Sequence, residues 1–99
     1  MELRATHKKQ LKKLGHNLKP YITIGKFDLS HNVINSIERE LKNHELIKIR
    51  ILNNSSENPK NIANIIADKI GANIIRVIGN TILIYKQNPD ENERKIHFS

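Results

Sequence analysis

The stretch Tyr21-Ile22-Thr23-Ile24-Gly25-Lys26-Phe27-Asp28-Leu29-Ser30 sets the strand-then-helix order on which the fold is built. From Tyr21 to Ile24 a β-branched run alternates Ile22 and Ile24 with Tyr21 and Thr23, the period of a short strand. Gly25 breaks it, and Ser30 opens a helical pattern as its N-cap. Such a turn gathers free backbone N–H groups and the positive end of a helix dipole at one spot. Lys26 adds a full charge there, so the spot suits a phosphate.

Charge says what kind of phosphate. The chain of 99 residues carries 17 Lys/Arg against 10 Asp/Glu, a net charge of +7. Residues 1–26 hold seven Lys/Arg and Glu2 as their one acid, whereas residues 27–99 hold ten Lys/Arg and nine acids. Nearly all the field therefore arises in the first quarter, which ends at the glycine turn, and a localised basic patch favours a polyanion. The length fits one domain with one core. With no cysteine, disulfides, thiolate chemistry and Cys-ligated zinc are excluded. No apolar run reaches the ~18 residues of a membrane span, and Met1-Glu2-Leu3-Arg4 carries no signal-peptide core, so a soluble, cytoplasmic protein is expected.

Upstream of the turn, residues 6–18 read as a helix with Thr6 as N-cap and an apolar stripe of Leu11, Leu14 and Leu18. Lys8, Lys9, Lys12 and Lys13 lie on roughly the opposite side, with His16 among them. An ordinary solvated lysine face would account for this pattern. Against it stands the absence of any Asp or Glu between positions 3 and 27. Lys8/Lys12 and Lys9/Lys13 are like-charge pairs at i,i+4, where a helix built for solubility would interleave Glu. Lys19-Pro20 stops the helix.

Downstream, residues 31–43 form a second helix burying Val33, Ile34, Ile37 and Leu41, and His44 beside Glu45 ends it and satisfies its carbonyls. Residues 46–52 alternate Ile47, Ile49 and Ile51 against Lys48 and Arg50, a strand with one core face. Asn58-Pro59 caps a third helix with Ile62, Ile65, Ile66 and Ile70 inside and Gly71 at its end. Two strands, 73–78 and 81–86, are joined by Gly79-Asn80, a primed hairpin turn. The expected fold class is α/β: a single domain in α-β-α-β-α-β-β order with a four-stranded mixed sheet and three helices. Ile22, Ile24, Ile47, Ile49, Ile51, Ile75, Val77, Ile82 and Ile84 are assigned to one sheet face. The other takes Tyr21, Thr23, Lys48, Arg50, Arg76 and Tyr85 with Leu46, Ile74, Ile78 and Leu83, and is too apolar to lie fully open. Residues 1–88 make the domain and 89–99 a polar tail, either pinned by Ile96 and Phe98 or mobile.

Three separate motifs in order, Leu18-Lys19-Pro20 with Ile24-Gly25-Lys26, Leu41 with His44-Glu45-Leu46-Ile47-Lys48-Ile49, and Gly71-Ala72 with Val77-Ile78-Gly79, Leu83 and Tyr85, resemble the YhbY-like family. This is the CRM domain, named for chloroplast RNA splicing and ribosome maturation, and the resemblance covers about residues 3–86. It implies a fold similar to the C-terminal domain of bacterial translation initiation factor three. It further implies an RNA-binding module associated with precursors of the large ribosomal subunit or, in plant relatives, with group II intron splicing. The family's turn is a G-x-x-G, and here Gly25-Lys26-Phe27-Asp28 has Asp28 in the second glycine's place. Asp28 either keeps the turn's shape while weakening a phosphate site, or faces away to cap the helix and leaves Gly25 and Lys26 to approach RNA; the alternative is a purely structural turn. The family's basic residue before the final strand is replaced by Asn80.

The expected RNA-contacting residues are Lys8, Lys9, Lys12, Lys13, His16, Lys19, Gly25, Lys26, Phe27, Asp28, His31, Lys48 and Arg50. The five histidines show no metal-ligand spacing, and no nucleophile, paired-carboxylate or nucleotide-loop motif is present, so neither catalysis nor a metal, cofactor or small-molecule substrate is expected. Four aromatics are too few for a base-stacking sheet, which favours structured RNA held through its phosphates. The expectation is a monomeric, non-catalytic binder of ribosomal RNA. The alternatives are an intron-splicing or other RNA-processing factor, or a protein-interaction module docking by its basic helix.

Overall fold

The computed structural model describes residues 2–25, 29–52 and 58–98. Its elements are α1 (Ala5–Gly15), β1 (Ile22–Ile24), α2 (His31–His44), β2 (Leu46–Ile51), α3 (Pro59–Ile70), β3 (Asn73–Ile78), β4 (Thr81–Tyr85) and a 3-10 turn at Glu91–Glu93. The sheet runs β1-β2-β4-β3, with β1 parallel to β2 and the other two pairings antiparallel. This is the expected four-stranded mixed sheet with three helices.

Local chemistry accounts for the boundaries. Ser30 Oγ accepts from Val33 N at 3.2 Å and Asn58 Oδ1 from Asn61 N at 2.8 Å, so both helices start at their predicted caps. Gly71 ends α3 with φ +75°. In the hairpin turn the positive φ falls on Gly79 but not on Asn80, as in a type II′ turn. The first helix differs from expectation. Arg4 rather than Thr6 is its N-cap, because His7 Nδ1 accepts from Arg4 N at 3.2 Å. The helix ends at Gly15, where Leu18 N turns back to donate to the Gly15 carbonyl at 3.1 Å.

The sheet separates two cores. Beneath α2 and α3 lie Ile24, Ile47, Ile49, Ile51, Ile82 and Ile84, packed with Ile37, Leu41, Ile62, Ala63, Ile66 and Ile70. On the other face Leu11 of α1 covers Leu46, Ile75, Leu83 and Tyr85, with Leu3, Leu18, Ile96 and Phe98 at the margin. Three assignments are corrected. Leu14 is 45% exposed and Ile65 37% exposed, because the buried stripes follow i,i+4 steps (Leu11 to Gly15, Ile62 to Ile66) and the i+3 positions fall at their edges. Ile74 and Ile75 exchange faces because a register shift between Ile74 and Arg76 sets both Ile75 and Arg76 against Leu83.

The tail is pinned. Glu45, fully buried at φ +65°, accepts from the N–H groups of Asn88 (2.6 Å), Lys95 (2.6 Å) and Ile96 (2.9 Å) through its carboxylate. Its own N–H donates to Leu41 O at 2.7 Å and closes α2. His44, expected to satisfy those carbonyls, instead stacks on Tyr21 at 4.4 Å and faces Glu40 at 3.4 Å. Farther on, the His97 carbonyl accepts from Gln10 Nε2 at 3.0 Å, and the Phe98 ring lies 4.5 Å from His7 and 5.9 Å from Tyr85. The last residues thus fasten the first helix to the sheet.

Tyr85 is the unsatisfied member of this cluster: its buried hydroxyl has no hydrogen-bond partner among the described residues. Burial, reinforced by the Glu45 carboxylate and opposed by Arg94, raises the phenol from its ordinary 10.0 to about 12. The folded protein therefore holds this proton more tightly than the unfolded chain. Stability is untouched below pH 10 and falls as pH climbs from about 10 through about 12. Tyr85→Phe is expected to flatten that decline and to stay within about 1 kcal/mol of the parent at neutral pH, since an unpaired polar group is lost. Urea unfolding of both proteins at neutral and alkaline pH checks this, and an equal alkaline loss in both would contradict it.

Candidate nucleic-acid interface

On the α1 side of the sheet, the strand register lines up two cross-strand rows. Lys48 (β2), Leu83 (β4) and Arg76 (β3) are neighbours in one, and Arg50, Thr81 and Ile78 in the next. In the first row cations flank an apolar centre, and in the second Arg50 and Ile78 stand on either side of Thr81. The first row marks the edge of the area that α1 covers and the second lies beyond it: Leu46, Ile75, Leu83 and Tyr85 are buried, whereas Arg50, Arg76 and Ile78 are exposed. Gly15 lets the helix come down this far, because a Cβ there would sit 2.5 Å from Leu83 Cδ2.

Between the end of α1 and these rows runs a groove of about 220 Å³, lined by Lys12, Gly15, His16, Lys48, Arg76, Ile78, Thr81 and Leu83. A second depression shares Lys48 and Thr81 with it and continues past Leu18, Pro20, Arg50 and Leu52 to Asn80. Among the described residues no Asp or Glu lines either depression, and Lys12, Lys48, Arg50 and Arg76 enter no ion pair. The glycine turn belongs to the same end of the sheet. Leu52 N donates to Ile24 O at 2.8 Å, and a Cβ on Gly25 would lie 3.5 Å from Leu52 Cδ1. Gly25 therefore adjoins, through Leu52, the depression lined by Lys48 and Arg50.

The structure thus brings Lys12, His16, Lys48 and Arg50 together, with Gly25 at the far end. Lys8 precedes Lys12 by one turn on the same side of α1 and is exposed. Lys9, Lys13, Lys19 and His31 are exposed too but do not line the groove, and His31 begins α2, which packs on the opposite sheet face. The expectations for Lys26, Phe27 and Asp28 lie outside the described residues. Arg76 is the member missed as a site residue. Strand alternation places it on the face of Lys48 and Arg50, but strand order is needed to bring it beside Leu83. Among the described residues no cluster of three His, Asp or Glu side chains is placed to hold a metal ion, and no helix is long and apolar enough to cross a membrane.

Comparison with known proteins follows the same outline. The profile of the CRS1 / YhbY (CRM) domain matches residues 3–86. The Probable RNA-binding protein PA4753 of Pseudomonas aeruginosa is 29% identical over 99 residues, covering 100% of this chain and 95% of that protein. The Probable RNA-binding protein YqeI of Bacillus subtilis is 30% identical over 91 residues, 92% of this chain and 95% of its own length. The solution structure of the hypothetical protein SAV1595 from Staphylococcus aureus superimposes with a TM-score of 0.77 at 31% identity, covering 97% of this chain and 100% of that one. Since the matched segment runs from before α1 to just past β4 and takes in both walls of the groove, the chain belongs to the CRS1 / YhbY (CRM) domain family.

Proposed function

We propose that this protein binds structured RNA without acting on it chemically, and that its target is ribosomal RNA contacted during large-subunit assembly. The observation that carries the reading is the pair of rows Lys48–Leu83–Arg76 and Arg50–Thr81–Ile78, with three cations between them, bordered by Lys12 and His16 and lined by no acid among the described residues. A surface of unpaired cations is electrostatically unfavourable until a polyanion covers it. The RNA-binding names of the relatives support the same class of partner. The ribosomal target follows from the family resemblance.

In this reading Lys8, Lys12, Lys48, Arg50 and Arg76 neutralise phosphates, and the Gly25 turn, with Lys26, extends the track. Each contact releases condensed counterions, so about five give a log–log salt slope near −3.5 to −4.5, or at least ~100-fold weaker binding between 50 and 200 mM salt. Fluorescence anisotropy with a structured ribosomal RNA fragment, titrated at several salt concentrations, tests this. A slope shallower than about −1 would remove the phosphate track from the account.

A further inference from the structure

We infer that the groove between α1 and the sheet seats one unpaired nucleotide, so that the preferred RNA is a helix carrying a bulged base rather than a continuous duplex. This rests on the RNA-binding reading above and specifies the ligand of that site. Leu83, 5% exposed, closes the groove under Gly15, and its open floor is Thr81 and Ile78, the latter 56% exposed although its neighbours across the hairpin are polar or charged. A site made only for phosphates would have no use for an apolar floor. A continuous duplex keeps its base faces stacked inside and offers this surface nothing to cover it.

An extruded nucleotide supplies both halves of the match. Its base has two apolar faces of a size suited to a groove of about 220 Å³, and the phosphates on either side of it fall to Lys12 on the helix and Lys48 and Arg76 on the sheet. His16, on the helix wall, offers a ring against the base, and the Thr81 hydroxyl offers a donor and acceptor to its edge. The closeness of α1 to the sheet at Gly15 sets the width of the slot.

The test uses two RNA hairpins with the same number of nucleotides, one fully paired along its stem and one with a single-nucleotide bulge. The wild-type protein is expected to bind the bulged hairpin about tenfold more tightly, as burying one base implies. The salt slopes should match, because the phosphate contacts are common to both. Ile78→Ser should abolish the preference, and 2-aminopurine in the bulge should change its fluorescence on binding to wild type but not to this variant. Equal affinities for the two hairpins, or a preference that survives Ile78→Ser, overturn the inference while steep salt dependence keeps the RNA-binding reading intact. Failure to bind either hairpin overturns both.

Discussion

Glu45→Ala is expected to destabilise the protein by roughly 3 kcal/mol or more. The carboxylate accepts from three backbone N–H groups, those of Asn88, Lys95 and Ile96. Each donor left unpaired in a buried place costs about 1–3 kcal/mol, relieved in part as the tail peels into water. Set against a total stability of about 5–15 kcal/mol, such a loss lowers the melting temperature by ten degrees or more in a domain of this size. The backbone offers an internal control. Glu45 sits at φ +65°, a conformation that a β-carbon disfavours by about 1–2 kcal/mol. Glu45→Gly removes the same carboxylate but relieves that strain, so it should melt above Glu45→Ala. Hydrogen exchange at the Lys95 and Ile96 amides should accelerate in both. A melting temperature within two degrees of the parent, or unchanged exchange at those amides, would show that the tail is held by other means.

The second large effect concerns binding. The triple variant Lys12→Ala/Lys48→Ala/Arg76→Ala should bind structured RNA about 100-fold more weakly near 0.1 M salt, with a slope shallower by two to three units, because three counterion-releasing contacts are lost. The three residues come from α1, β2 and β3 and meet at one groove, so they act together only if the fold places RNA there. Lys9→Ala/Lys13→Ala/Lys19→Ala removes as much charge from positions that do not line it, and its loss should be several-fold smaller. Equal losses in the two triple variants would mean that total charge, not this groove, governs affinity.

How much of this was legible follows from what periodicity can carry. The order of elements was, because the hydrophobic period switches between about 2 and 3.6 at marked breaks: Gly25, Ser30, Asn58-Pro59, Gly71 and Gly79-Asn80. Which flank of a helix is buried was less so. Leu14 and Ile65 are apolar and three residues from a core position, and the sequence pattern does not distinguish them from Gly15 and Ile66 one residue later; tertiary packing does. The exchange of Ile74 and Ile75 comes from a bulge that inserts one residue into a strand without any glycine or proline to mark it. Strict alternation had put Ile75 in the wrong core.

The site was half legible for a related reason. Charge density singled out the lysines of the first helix, but of those four only Lys12 reaches the groove. Arg76 is one basic residue in an apolar strand and becomes notable only when β4 is set between it and Lys48. Glu45 as a clamp was invisible, since its partners are backbone amides more than forty positions away. No residue type in the tail announces them.

That clamp has a consequence for how the molecule is made. The first helix is synthesised before two of the groups that hold it down, the carbonyl of His97 and the ring of Phe98. Until those residues are made, the seat of its apolar side, Leu11 foremost, is incomplete. A helix held by a contact 87 positions downstream makes the groove a property of the assembled domain rather than of its early segment.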